Sequence, residues 1–368
     1  MKNLSIMLKP ASSLCNLRCK YCFYADVANL REVKSFGLMT AEISEQILDH
    51  VFAGLAAGDW VSFVFQGGEP TMAGLGYFRH FVEQAEMRNT RCGGKVSYAL
   101  QTNGMVLDEE WCGFLKQHRF LVGLSLDGMA SSHDACRVDE KGKGTYKRVM
   151  AAKRLLEHNG VPYNILMTLT SSLARHPQQV WRFLKDQKIQ YVQFTPCLAP
   201  MGVEPARDSY ALTPRRFAGF YKSIFRLWLE EWNSGNYISV KLIDDLVHLL
   251  ADGSVSACGL TGYCSPQMVV EADGGVYPCD FYMLDSYKAG NLSLQSMQEI
   301  YEAAVMEQFR RQPRRTALCM ECRFRKLCGG GCKRMQAHIC YGDGDTYCGY
   351  YDFLDETIEE LGRVARTI

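Results

Sequence analysis

The sequence lacks an excess of charge of either sign: 41 Lys plus Arg stand against 40 Asp plus Glu, a formal net charge of +1. Without a basic surplus there is no electrostatic footprint for a nucleic acid. It also lacks any apolar run near the ~18 residues a membrane span needs. The opening MKNLSIMLKPASSLC holds too short an apolar stretch for a secretory signal. The expectation is therefore a cytoplasmic chain with neither a membrane nor a nucleic-acid partner. No interior low-complexity linker and no repeat of fixed period occurs, and the eight His show no paired metal-ligand spacing. Disorder is excluded as well, because 368 residues that are 47% hydrophobic can bury roughly 75% of their unfolded surface. What the sequence has in abundance is cysteine, with 16 residues. In a reducing compartment such thiols are free, catalytic or metal-bound, and a chain this long needs no disulfide staples.

Residues 1 to about 235 alternate short apolar runs with helical patterns. The runs are Leu4–Leu8, Val61–Phe65, Val96–Leu100, Phe120–Ser125, Tyr163–Met167 and Tyr191–Phe194, and Ile43, Ile47, Leu48, Val51, Phe52 and Leu55 share one helical face. About six strand–helix units in succession predict an α/β fold with a parallel sheet, a partial (β/α)6 TIM-like barrel. After about residue 250 the chain turns rich in Cys and Gly. There Met268–Tyr277 reads as a hairpin turning at Asp273-Gly274-Gly275, followed by a helix near Leu294–Arg310 and a closing helix over Asp352–Thr367.

Cys15, Cys19 and Cys22 form a Cx3Cx2C motif just after the first expected strand. Three thiolates within eight residues can wrap one face of an iron–sulfur cube, while a structural zinc site would lack its fourth ligand. A loop at the C-terminal end of the first strand of such a barrel is where active sites are built. The spacing, followed by aromatic Phe23-Tyr24, resembles the radical S-adenosylmethionine superfamily. Gln66-Gly67-Gly68-Glu69-Pro70 after the second strand resembles that superfamily's GGEP motif, and Leu124-Ser125-Leu126-Asp127-Gly128 its nucleoside-side contact. The resemblance implies that Gly67, Gly68, Glu69, Ser125 and Asp127 surround S-adenosylmethionine, with Tyr21 and Leu198 beside its adenine.

Cys264 and Cys279 bracket Gly274 in a Cx9Gx4C pattern, and Cys319, Cys322, Cys328 and Cys332 run on to Cys348. With Cys258 these make eight thiols, enough to close two four-iron clusters or two zinc sites. The full pattern resembles the SPASM extension of radical S-adenosylmethionine enzymes. That resemblance implies an auxiliary cluster I on Cys258, Cys264, Cys279 and Cys332, and an auxiliary cluster II on Cys319, Cys322, Cys328 and Cys348. It divides the chain into a radical core, residues 1–235, and an auxiliary-cluster domain, residues 236–368. Cys92, Cys112, Cys136, Cys197 and Cys340 remain as small buried hydrophobes.

Residues 5–24, the FQGGEPTMAG and LQTNG stretches and YPCDFY around Cys279 resemble the anaerobic sulfatase-maturating enzymes. These oxidise a Cys or Ser in a Cys/Ser-x-Pro-x-Arg segment of a sulfatase to Cα-formylglycine. The resemblance implies three 4Fe-4S clusters, S-adenosylmethionine, an unfolded or nascent sulfatase as substrate, and a ferredoxin or flavodoxin as electron donor; a monomer is the expectation. Asp280 matches the family's general base. Tyr24 is a second catalytic candidate that either orients the target side chain or is a buried Tyr with a hydrogen-bonded hydroxyl, and Gln66 and Gln101 should border the substrate. Lys9 either meets the peptide or is simply solvated. Two other readings stay open. One is a SPASM maturase that crosslinks a ribosomal peptide, against which stands the short stretch of 14 residues before Cys15. The other is a zinc-binding adaptor without catalysis.

Overall fold

The computed structural model describes residues 3–311, 315–342 and 346–368. Ten strands are named in chain order: β1 Asn3–Leu8, β2 Trp60–Phe65, β3 Lys95–Thr102, β4 Leu121–Ser125 and β5 Tyr163–Leu169. They continue as β6 Tyr191–Pro196, β7 Ser239–Val240, β8 Met268–Val270, β9 Gly275–Tyr277 and β10 Gly290–Asn291. All six strands expected from the apolar runs form, as β1 to β6. The chain divides into two interleaved compact units. One comprises the residues up to Ser125 with 137–163 and 266–310, the other residues 126–136, 164–265 and 311–368.

The first unit holds a sheet in the order β10-β9-β8-β1-β2-β3-β4. Strands β1 to β4 are parallel, with Leu8 beside Phe65 and Phe65 beside Leu100. Alternation sets the faces: Val61, Phe63 and Phe65 of β2 are wholly buried. Phe63 and Phe65 meet Phe81 edge-on at 5.2 and 5.0 Å, from the helix Leu75–Cys92. The helix Ala41–Ala53 is capped by the Thr40 hydroxyl, which accepts from the Ile43 N–H, and buries Ile47, Leu48, Val51 and Phe52. It stops before Leu55, which the periodicity had assigned to the same face.

The expected hairpin forms as β8 and β9, antiparallel, with Gly274 at φ +81° in its turn. Beyond that expectation, β8 also pairs in parallel with β1 and extends the N-terminal sheet. The helix expected over Leu294–Arg310 is in fact two, Met297–Tyr301 and Ala304–Arg310. Ser296 and Glu299 cap the first reciprocally, and the Ala303 carbonyl opens the second by accepting from Met306 N–H.

In the second unit β5, β6 and β7 are parallel, and neither unit's sheet closes on itself. Helix Pro214–Asn233 packs its aromatic stripe on the closing helix, which spans Gly349–Ala365. Phe217 lies 5.8 Å from Tyr350 and Tyr221 lies 5.7 Å from Phe353. The closing helix begins three residues earlier than expected, because the Cys348 sulfur accepts from Tyr351 N–H and caps it. Among the described residues no helix is long and apolar enough to cross a membrane.

Candidate active site

Parallel strands deliver their following loops to one end of a sheet, and the first unit gathers three motifs there. The loop after β1 carries Cys15, Cys19 and Cys22, and the GGEP segment after β2 clamps it. Gly68 N–H donates to the Ser12 carbonyl at 2.9 Å and Glu69 N–H to the Leu14 carbonyl at 2.8 Å. A Cβ on Gly68 would stand 2.2 Å from the Leu14 oxygen, and Gly67, at φ +143°, packs on Ser12 and Lys9. The two glycines thus permit close approach to the cysteine loop itself.

Glu69 is almost fully buried, and its carboxylate is saturated. Oε1 accepts from Thr71 N–H, Thr71 Oγ1 and Thr102 Oγ1, and Oε2 accepts from Asn103 N–H at 2.7 Å. Burial raises its pKa while these four bonds oppose the rise. Its side chain therefore ties β2 to the end of β3. Asn103 continues the chain of contacts, reaching Cys15 Sγ at 3.9 Å and Asn16 Oδ1 at 2.8 Å. Sequence reasoning missed Asn103; its position in LQTNG was the only signal. Burial pushes the Cys15 thiol up to about 12, and Glu69, Cys19 and Cys22 add to the effect. Binding of iron there must release protons. Leu17 N–H already donates to Cys15 Sγ at 3.3 Å, a bond suited to a thiolate.

Asp280 opens a short helical turn directly after Cys279 and is largely buried. One carboxylate oxygen pairs with the Lys9 ammonium, and Oδ2 accepts from the Gln66 amide at 2.7 Å. Lys9 is fully buried and its Nζ sits 4.2 Å from the Tyr24 ring centre, so the solvated alternative for Lys9 is corrected. Its whole side chain is spent on the pair of candidate residues beside it. Tyr24 is buried too, and its hydroxyl donates to Glu271 Oε1 at 2.5 Å. Burial first, then the Glu271 charge, holds that phenol far above its ordinary range. Glu271 also accepts from Ser12 Oγ and from Arg31, both partners of that ion pair being fully enclosed. Neither Glu271 nor Arg31 was singled out from sequence, since each is an isolated charge in no motif.

The remaining positions fall in both units. Gln101 is half-buried at the end of β3, and Tyr21 is half-buried with the Arg137 guanidinium 5.5 Å from its ring centre. Ser125 is buried at the last residue of β4. In the second unit Asp127 is buried, and Oδ1 accepts from Thr168 N–H at 2.9 Å. Leu198 is buried next to Ala199, whose N–H donates to His338 Nε2 and whose carbonyl accepts from Arg334. Burial lowers the His338 pKa to about 4, with Arg334 contributing.

The second unit also tests the Cys-rich reading. Cys319, Cys322, Cys328 and Cys348 line one cavity with about 370 Å³ of empty space counted to its mouth. Phe324 N–H donates to Cys322 Sγ at 3.3 Å and Tyr351 N–H to Cys348 Sγ at 3.4 Å. Among the described residues no three His, Cys, Asp or Glu could hold a single metal ion. Four thiols around a shared space, with N–H groups aimed at them, suit a larger sulfur-ligated group. Cys340 is buried, as expected of a small hydrophobe, and lines this cavity as well. Burial, then the neighbouring Cys332 and Cys264, raises the Cys258 thiol pKa, and a Cβ on Gly259 would stand 2.8 Å from Cys332 Cβ. Cys279 belongs to the first unit. Of the other cysteines Cys112, Cys136 and Cys197 are buried, whereas Cys92 is only partly so.

Comparison with known proteins agrees with these arrangements. Residues 10–174 match the radical SAM superfamily model and residues 262–323 an iron–sulfur cluster-binding domain model. The chain is 37% identical over its whole length to the cysteine-type anaerobic sulfatase-maturating enzyme of Clostridium novyi, covering 99% of that chain. It is 28% identical to the serine-type enzyme of Klebsiella aerogenes, over 99% of this chain and 87% of that one. The solved structure of native anSMEcpe with bound AdoMet and Cp18Cys peptide superposes with a TM-score of 0.91, at 36% identity and 99% coverage of both chains. Streptococcus suis SuiB bound to S-adenosylmethionine, at 16% identity, TM-score 0.64 and coverage of 94% and 77%, shares the fold. Motif order, fold and full-length identity converge on one conclusion: the chain belongs to the anaerobic sulfatase-maturating enzymes, iron–sulfur oxidoreductases of the radical SAM superfamily that use S-adenosylmethionine.

Proposed function

We propose that the enzyme oxidises a cysteine within a Cys-x-Pro-x-Arg segment of an unfolded sulfatase to Cα-formylglycine, in an oxygen-poor cytoplasm and as a monomer. The single observation that carries the reading is the buried Asp280, held between the Lys9 ammonium and the Gln66 amide. The cysteine preference follows from identities of 37–38% to cysteine-type relatives against 27–28% to serine-type ones. Cys15, Cys19 and Cys22 would hold the cluster that binds S-adenosylmethionine, with Tyr21, Gly67, Gly68, Glu69, Ser125, Asp127 and Leu198 around the cofactor. Cys258, Cys264, Cys279 and Cys332 would hold auxiliary cluster I, and Cys319, Cys322, Cys328 and Cys348 auxiliary cluster II. Bound there, these groups supply a 5′-deoxyadenosyl radical for hydrogen abstraction at Cβ and an acceptor for the electron that follows.

The chain's own part is to orient the peptide and take a proton. Conversion of the Cβ–SH group to a thioaldehyde removes one hydrogen atom, one electron and one proton. Water then replaces sulfur as oxygen, releasing hydrogen sulfide. Asp280 is the base for the proton, held in place by the Lys9 ammonium and the Gln66 amide. Tyr24, locked by Glu271, walls the site beside Lys9, and Gln101 borders the peptide. A ferredoxin or flavodoxin supplies the priming electron.

The test is anaerobic. Reconstituted enzyme with dithionite, S-adenosylmethionine and a Cys-x-Pro-x-Arg peptide should yield formylglycine and 5′-deoxyadenosine, and the Ser peptide should react more slowly. Asp280→Asn should lose formylglycine by at least ~10²-fold while retaining deoxyadenosine. Normal peptide oxidation by that variant would remove Asp280 from the mechanism.

A further inference from the structure

The cavity assigned to auxiliary cluster II has more sulfur than a four-iron cube requires. Besides Cys319, Cys322, Cys328 and Cys348 it is lined by Cys340, which is 1% exposed, and by Tyr341. The Cys340 S–H has two acceptors, the Gly330 carbonyl at 3.6 Å and the Cys348 sulfur. Tyr341 Oη is sealed from water and finds no nitrogen or oxygen partner among the described residues. Its neighbour across the cavity wall is Cys319: a Cβ placed on Gly330 would lie 3.1 Å from Tyr341 Oη and 3.6 Å from Cys319 Sγ.

The backbone is shaped around these two donors. Gly329, Gly330 and Gly331 follow one another at φ +53°, +91° and +72°, a run that side chains rarely adopt. A Cβ on Gly331 would come within 3.2 Å of Cys340 Sγ. Gly330 and Gly331 thus leave room beside the phenol and the thiol, while Gly329 packs on the Thr261 carbonyl. An orphaned buried hydroxyl is costly, and cluster sulfur is an acceptor that would satisfy it.

We propose that Cys340 and Tyr341 are positioning residues for auxiliary cluster II: neither ligates iron, and each donates a hydrogen bond to ligand sulfur, Cys340 to Cys348 and Tyr341 to Cys319. The proposal rests on the ligand set given above. Donors to cluster sulfur favour the more negative, reduced form, so the pair raises the reduction potential of that cluster above what its four thiolates alone would set. A cluster so tuned is the better acceptor for the electron released during peptide oxidation.

Full-length Tyr341→Phe, Cys340→Ala and Cys340→Ser are reconstituted anaerobically and compared with the wild type by iron and sulfide content and by EPR-monitored redox titration. Tyr341→Phe and Cys340→Ala should keep full iron and sulfide and show one auxiliary cluster shifted to more negative potential, the other two clusters unmoved. Cys340→Ser, which restores a donor, should move the potential back. Unchanged potentials in both variants would overturn the proposal, and so would loss of iron from either. Cys348→Ala separates the two levels: it should lose one cluster's iron. If it keeps full iron while Cys340→Ala loses a cluster, Cys340 is a ligand, and both the ligand set and the proposal fall.

Discussion

At the scale of single residues, the site is governed by a lysine that no motif announces. Lys9 follows β1, is fully buried, and faces Asp280 on one side and the Tyr24 ring on the other. An ammonium so enclosed is tolerated only because a carboxylate meets it, and removing one partner of such a pair costs about 3–5 kcal/mol. In Lys9→Met the Asp280 carboxylate loses its buried counter-ion and the contact that holds it in place. The expected outcome is a loss of formylglycine comparable to that of Asp280→Asn, with 5′-deoxyadenosine still formed. Product masses from one peptide assay check both halves, and unimpaired peptide oxidation would show that Lys9 only fills space. Glu271 is of the same kind, anchoring the Tyr24 hydroxyl and Arg31 from a position 240 residues further along the chain than Arg31.

At the scale of elements, the GGEP segment clamps the cysteine loop. Gly68→Ala would drive a methyl group into the Leu14 carbonyl, whose oxygen lies 2.2 Å from the Cβ position. Backbone cannot step aside as a flexible side chain can, so the cysteine loop must shift. The expected result is a folded protein that takes up less iron, with the missing share belonging to the S-adenosylmethionine-cleaving cluster; iron analysis and deoxyadenosine yield read it out. This clamp also marks what the sequence could tell. The strands β1 to β6 were legible because apolar runs and helical periodicity are local signals, and Cx3Cx2C and the Cys-rich tail were legible because ligand spacing is local too. The pairing of β8 with β1 was not, because it joins Met268 to Ile6 and no local pattern encodes a partner so distant. For the same reason Lys9 and Glu271 looked like ordinary charges, and the close approach of Gly68 to its own chain at Leu14 was not foreseen.

At the scale of the whole molecule, stability should depend on pH through a buried histidine. His338 is 1% exposed, and Nε2 accepts from Ala199 N–H, a bond open only to the neutral ring. Its pKa is about 4 in the fold against 6.5 when unfolded. A group depressed in this way gives its full stability above pH 6.5 and loses it progressively as pH falls toward 4. The total is on the order of 3 kcal/mol. Urea unfolding at pH 7.5 and pH 5.5 should show wild-type enzyme losing about 1 kcal/mol more than His338→Gln over that interval. Equal losses would mean that the ring protonates freely in the folded state.

The hold of Gly68 and Glu69 on Ser12 and Leu14 is made of amide hydrogens and carbonyls alone. Nothing in it depends on iron. The expectation is that a loop stripped of iron keeps this backbone frame and reloads when iron and sulfide are resupplied.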